Sequence, residues 1–121
     1  MPRRSPISVG ATYLDRTARI EALRQAARRA AGRLPPIRRM ILFGSLVGGT
    51  PTPRSDADIL VVVETSEHSQ ARDRVPELLG ALSPLPCPID LTVLTREEFE
   101  RARREEVPLV REALANGLEL L

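Results

Sequence analysis

The chain has 121 residues, and its 18 basic residues, set against 16 acidic ones, are all arginine. Without lysine there is no Schiff base, no Ser–Lys dyad and no phosphate-binding loop of the lysine type. The single Cys87 and single His68 make neither an internal disulfide nor, alone, a zinc site, so carboxylates, hydroxyls, backbone amides and arginine are left for chemistry.

A net charge of +2 is too small to argue for direct nucleic-acid binding. With 42% apolar and 28% charged residues the composition is that of a soluble globular protein. The length suits a single domain over residues 1–121, burying roughly two-thirds of its unfolded surface. No apolar run approaches the roughly 20 residues of a membrane span. The basic Met1–Ser8 start has no hydrophobic signal core behind it, which predicts a cytoplasmic protein.

Residues 1–11 read as a loose arm, because Pro2, Pro6 and Gly10 interrupt any pattern. A helix is expected from about Thr12 to Gly32, with Thr12 and Asp15 as a capping box and Ile20, Leu23, Ala27, Ala30 and Leu34 on one apolar face. Ile37–Phe43 reads as a strand running into Gly44–Ser45, and a Gly- and Pro-rich loop follows. Asp56–Glu64 is the clearest strand, and its unbroken Ile59–Val63 stretch predicts burial on both faces.

Residues 67–82 read as helical, with Pro76 kinking or restarting the helix. A third strand is expected over Ile89–Leu94. Thr95 and Glu98 form a second capping box, opening a helix with Glu97–Arg101 and Glu100–Arg104 pairs. Pro108 suits the first position of a last helix ending at Asn116–Gly117, and Leu118–Leu121 adds a short edge strand. The order α-β-β-α-β-α-α implies an α/β fold with a small mixed β-sheet flanked by helices.

The carboxylates carry the functional signal. Asp56 and Asp58 lie two apart on one strand, so both face one side, roughly 7 Å apart along it. The short connection after Phe43 implies antiparallel pairing of the first two strands. A helical crossover from the second to the third implies parallel pairing. Gly44–Ser45, Asp56, Asp58 and Asp90 then converge at one end of the sheet. Clustered carboxylates repel unless a cation is bound, and an all-oxygen ligand set favours Mg²⁺ or Mn²⁺. Two such ions about 4 Å apart suit a triphosphate and an attacking hydroxyl. Gly44, lacking a Cβ, would let a phosphate approach the main chain, and Ser45 adds a hydroxyl beside amides that can face an anion.

Gly44–Ser45, ten intervening residues, and Asp56-Ala57-Asp58 ahead of an apolar strand resemble the signature of the DNA polymerase β-like nucleotidyltransferase superfamily. The small size resembles the minimal nucleotidyltransferases (MNT) that act as antitoxins to HEPN ribonuclease toxins. The resemblance implies a polymerase β-like core, with Asp56, Asp58 and Asp90 as metal ligands and Asp90 as the base. It also implies nucleotide contacts from Gly44, Ser45, Gly49 and Ser55. The implied activity is ATP-binding, magnesium-dependent transfer of AMP to a hydroxyl, a tyrosine of a HEPN-type toxin, within a toxin–antitoxin system. Many members carry a basic residue where Gly48 stands, which leaves open which side chain, Arg54 among the candidates, meets the triphosphate.

Plainer readings stand beside these. Asp90 could cap a strand entry, and Ser45 a helix. Arg28, Arg29, Arg33, Arg38 and Arg39 read first as a solvated basic face, with RNA or an acidic partner second. A non-catalytic antitoxin, neutralising its partner by contact, is the alternative function. An aminoglycoside-modifying adenylyltransferase is disfavoured, since only 27 residues follow Leu94.

Overall fold

Two strands with unbroken apolar runs decide the architecture. The computed structural model describes residues 8–33, 36–44, 47 and 57–121, with side chains from residue 16 onward. Strands β1 (Ile37–Phe43) and β2 (Ala57–Val63) occupy the middle of a four-stranded sheet of order β3-β2-β1-β4. β3 is Ile89–Thr95 and β4 is Leu118–Glu119. β2 is buried at six of its seven positions, Asp58 being the half-buried exception.

Side chains alternate across the sheet. Met40, Leu42, Ala57, Ile59, Val61 and Val93 enter one core with the apolar face of α1 (Ser8–Ala31) and with α2 (Val75–Leu82). Ile41, Phe43, Leu60 and Val62 enter the other, closed by Phe99 of α3 (Arg96–Arg104) and by Val110 and Ala113 of α4 (Pro108–Asn116). Full burial of an aliphatic or aromatic chain of this size contributes about 1.5–3 kcal/mol. This is the expected mixed sheet between helical layers. No helix among the described residues is long and apolar enough to cross a membrane.

Pairing follows the expected senses. β1 runs antiparallel to β2, β2 parallel to β3, and β1 antiparallel to β4. The capping box of α3 is complete: Thr95 Oγ1 accepts from the Glu98 amide at 3.2 Å, and the Thr95 amide donates to Glu98 Oε1 at 2.9 Å. Pro108 opens α4, and Gly117 caps it.

Several expectations need correction. Helix α1 begins at Ser8, so residues 8–11 belong to a helix, not to a loose arm, and Thr12 lies inside it instead of capping it. A glycine such as Gly10 costs only about 1 kcal/mol in a helix, less than packing further along can offset. The residues from 67 are not helical until a 3₁₀ turn at Ala71–Arg74, and Pro76 sits in the first turn of α2, where its missing N–H costs nothing. Glu100 pairs with Arg103 at 2.7 Å, one residue short of the expected Arg104. Of the basic stretch, Arg29 donates to the carbonyls of Leu82 and Pro84, Arg38 pairs with Glu64, and Arg39 pairs with Glu119 and lies over Phe99. Three of its five arginines are thus engaged within the fold.

Candidate active site

The register of the sheet brings the candidate residues together one strand at a time. Phe43, the last residue of β1, lies opposite Asp58, and Asp58 lies beside Asp90 across the parallel β2–β3 pair. Adjacent strands lie about 4.8 Å apart, and registered residues of a parallel pair point to the same face. The two carboxylates therefore stand side by side at the entry ends of β2 and β3, on the face covered by α3 and α4.

Gly44 follows directly, with φ at +88°, a left-handed conformation that a side chain would strain. A Cβ built there would collide with Asp58 Oδ2 and lie 3.1 Å from its Cγ. Glycine was expected because a phosphate must approach its backbone; the space its missing Cβ leaves is filled by the Asp58 carboxylate. Gly44 therefore sets where Asp58 can lie.

Electrostatics agree with this crowding. Burial raises the Asp58 carboxyl above its ordinary range, and the negative charge of Asp90 raises it further. Both causes disfavour the ionised form, and the charge of a bound cation would oppose both. The donor set is oxygen only, as a hard cation requires. Among the described residues no group of three acidic, His or Cys side chains stands close enough to hold one ion. Asp56, Ser45, Gly49 and Ser55, the remaining motif positions, lie outside the described residues, as do Gly48 and Arg54.

A cavity of about 480 Å³ opens beside the two aspartates. Phe43 and Thr92 line its sheet side, and Pro108, Leu109 and Glu112 of α4 form the wall across from it. Nothing in the sequence marked Glu112, since it lies far from the Asp motif and on an ordinary amphipathic helix. Arg16 is the other residue sequence reading passed over: its Nη2 donates to the carbonyl of Val47, tying α1 to the connection that follows Gly44.

A second cavity, of about 360 Å³, lies at the opposite end of the sheet, lined by Ser66, His68, Arg74 and Glu77 among others. It has a buried cation but no free donor. Arg74 Nε and Nη2 donate to the His68 carbonyl at 3.0 and 2.8 Å, and Nη1 donates to the Val93 carbonyl at 2.9 Å. Nη1 and Nη2 also pair with the two Glu98 oxygens at 2.6 and 3.1 Å. All five guanidinium N–H groups are therefore occupied. This is a structural clamp.

The model of the nucleotidyltransferase domain family matches residues 23–118, which takes in both aspartates and strands β1 to β3. The chain belongs to that family. Among solved structures it is similar to a protein from Sulfolobus solfataricus whose nucleotidyltransferase activity is itself a proposal. The TM-score is 0.61 at 18% identity, over 89% of this chain and 84% of the other. At that identity the likeness speaks for the fold. No curated protein matches the sequence. Within this nucleotidyltransferase domain, the strand ends carrying Asp58 and Asp90 bring two carboxylates together.

Proposed function

We propose that this nucleotidyltransferase domain transfers AMP from ATP, with Mg²⁺ or Mn²⁺, to a hydroxyl acceptor. The acceptor in this reading is a tyrosine of a HEPN-type toxin, which the transfer silences. One observation carries the metal dependence: two carboxylates side by side, one of them raised by burial and by the other's charge. A cation bound beside them would favour the ionised form of both.

In this reading Asp58 and Asp90, joined by Asp56 from the sequence motif, would hold the metal ions, whose charge would offset that of the triphosphate and lower the pKa of the acceptor hydroxyl. Gly44 fixes the Asp58 carboxylate from behind. Ser45, Gly49 and Ser55 contact the nucleotide. Asp90, the more exposed of the two described acids, accepts the proton as the acceptor oxygen bonds to the α-phosphorus and pyrophosphate leaves. The α4 wall narrows the approach and excludes bulk water from one side.

The test is incubation with Mg²⁺, ATP labelled at the α-phosphate, and the co-purified partner. Label on a partner tyrosine, absent with Asp58→Asn, is the expected result. No transfer by the wild type, or equal transfer by the variant, refutes the catalytic reading.

A further inference from the structure

Glu112 is the acid in the cavity that the metal reading leaves without a task. It lies on the second turn of α4, across the cavity from Asp58 and Asp90. With those two it makes no group tight enough for a metal ion. A carboxylate there repels a triphosphate, so its side of the cavity suits the other reactant. The side chain is exposed, and Asn116 Nδ2, one turn on and also exposed, donates to Glu112 Oε2 at 3.2 Å. Its other oxygen, Oε1, has no partner among the described residues. Around it the wall is apolar, from Pro108 and Leu109. An open carboxylate oxygen above an apolar step fits a ring-bearing hydroxyl with a cationic N–H donor next to it.

We propose that Glu112 selects the acceptor, its carboxylate receiving a guanidinium or ammonium group carried beside the accepting hydroxyl. This rests on the nucleotidyltransferase reading above and goes beyond it by naming the acceptor's charge. Glu112 is thus a specificity residue, and Asn116 its positioning residue.

The test uses two capped peptides, Arg-Tyr-Arg and Glu-Tyr-Glu, titrated by NMR into the full chain with Mg²⁺ and an ATP analogue that cannot be cleaved between the α- and β-phosphates. The expected result is tighter binding of the basic peptide, with shifts at Leu109 and Glu112. Glu112→Gln should narrow that preference about fivefold, the effect of one partly solvated ion pair. Glu112→Asp should restore part of it, and Asn116→Ala should weaken it less. Nucleotide affinity should stay within about twofold in all three variants, since none touches the phosphates in this reading. Equal binding of the two peptides, binding of neither, or a nucleotide loss in Glu112→Gln as large as in Asp58→Asn overturns the proposal. Failure of the wild type to bind the analogue with Mg²⁺ is a separate result, and refutes the catalytic reading itself.

Discussion

Where β1 leaves the sheet and β2 enters it, Asp58 and Asp90 stand side by side, and burial, then mutual repulsion, raises the Asp58 carboxyl. At the opposite end two acids, Glu64 and Glu98, lie on arginines. Glu64 lies between Arg38 at 2.8 Å and Arg96 at 3.4 Å and is lowered, chiefly by the Arg38 hydrogen bond. Glu98 lies on the buried Arg74 and is pushed down to about 2, chiefly by that arginine's hydrogen bonds. One sheet thus carries charge in two ways: at one end arginines lower its acids, and at the other burial and a neighbouring carboxylate raise one. Local stability is sacrificed where ligands are to bind.

The sharpest way to break this contrast is Asp58→Asn. Removing the raised carboxylate should cut transfer by at least about a hundredfold, since a metal ligand is lost. The same change should raise the melting temperature at neutral pH, because a half-buried, repelled charge becomes a neutral amide. Activity assay and calorimetry on one preparation check both. A fall in stability alongside the loss of activity would mean that the carboxylate is a structural partner after all.

Gly44→Ala comes next. Its Cβ would collide with the Asp58 carboxylate, and φ at +88° would strain it further. We expect a cost of about 1–2 kcal/mol. Mg²⁺-dependent nucleotide binding should fall while the far end of the sheet is unaffected, as hydrogen exchange there would show.

At that far end, Arg74→Met should cost about 3 kcal/mol, because it leaves the partly buried Glu98 and two backbone carbonyls without their donors. Urea unfolding measures this. Folded variant protein should keep the wild-type nucleotide affinity, since the clamp lies across the sheet from the aspartates.

The two ends also differed in how far the sequence revealed them. The strand limits of β1, the antiparallel and parallel pairings, the α3 capping box and the meeting of Gly44, Asp58 and Asp90 were all legible. Each follows from an apolar run bounded by turn residues, a short connection or a fixed spacing. Arg74 was not, because its partners are the carbonyls of His68 and Val93, and a carbonyl leaves no trace in residue identity. Glu112 escaped for a related reason: it reaches the site through the docking of α4 on β1. The start of α1 was misplaced because Gly10 and a chance Thr–Asp spacing imitated a boundary that tertiary packing overrides.

Changing pH sharpens the comparison with a smaller effect. Glu98 sits at about 2 against an ordinary 4.5, so its stabilisation is complete above 4.5 and is lost as pH falls toward 2. Asp58 is raised above 3.8, so its contribution has the opposite sense: present below 3.8, and lost as pH rises through its folded value. Unfolding free energies followed from pH 2 to 7 should therefore show a shallower acid limb in Glu98→Gln. In Asp58→Asn, stability should hold up better toward neutral pH. Mg²⁺ should reproduce that second effect in the wild type and do nothing in Glu98→Gln that it does not do in the wild type.

The smallest effect belongs to Glu106, at the junction that leads into the cavity wall. It has φ of 55°, the left-handed position after a helix end that glycine usually takes. Its amide donates to the Arg103 carbonyl at 3.1 Å, and the next amide, of Val107, to Ala102 at 3.0 Å. The side chain reaches only Arg111, at 4.0 Å, with both groups largely exposed, so little is lost by removing it. Glu106→Gly should therefore raise stability by about 0.5–1 kcal/mol, the relieved backbone strain less the added freedom of the unfolded chain. Transfer should not change, because Val110 and Ala113, packed against Ile41 and Phe43, hold α4 in place. If stability rises but transfer falls, the strain at Glu106 is what holds Glu112 against the cavity, and the junction belongs with the aspartates' end of the sheet.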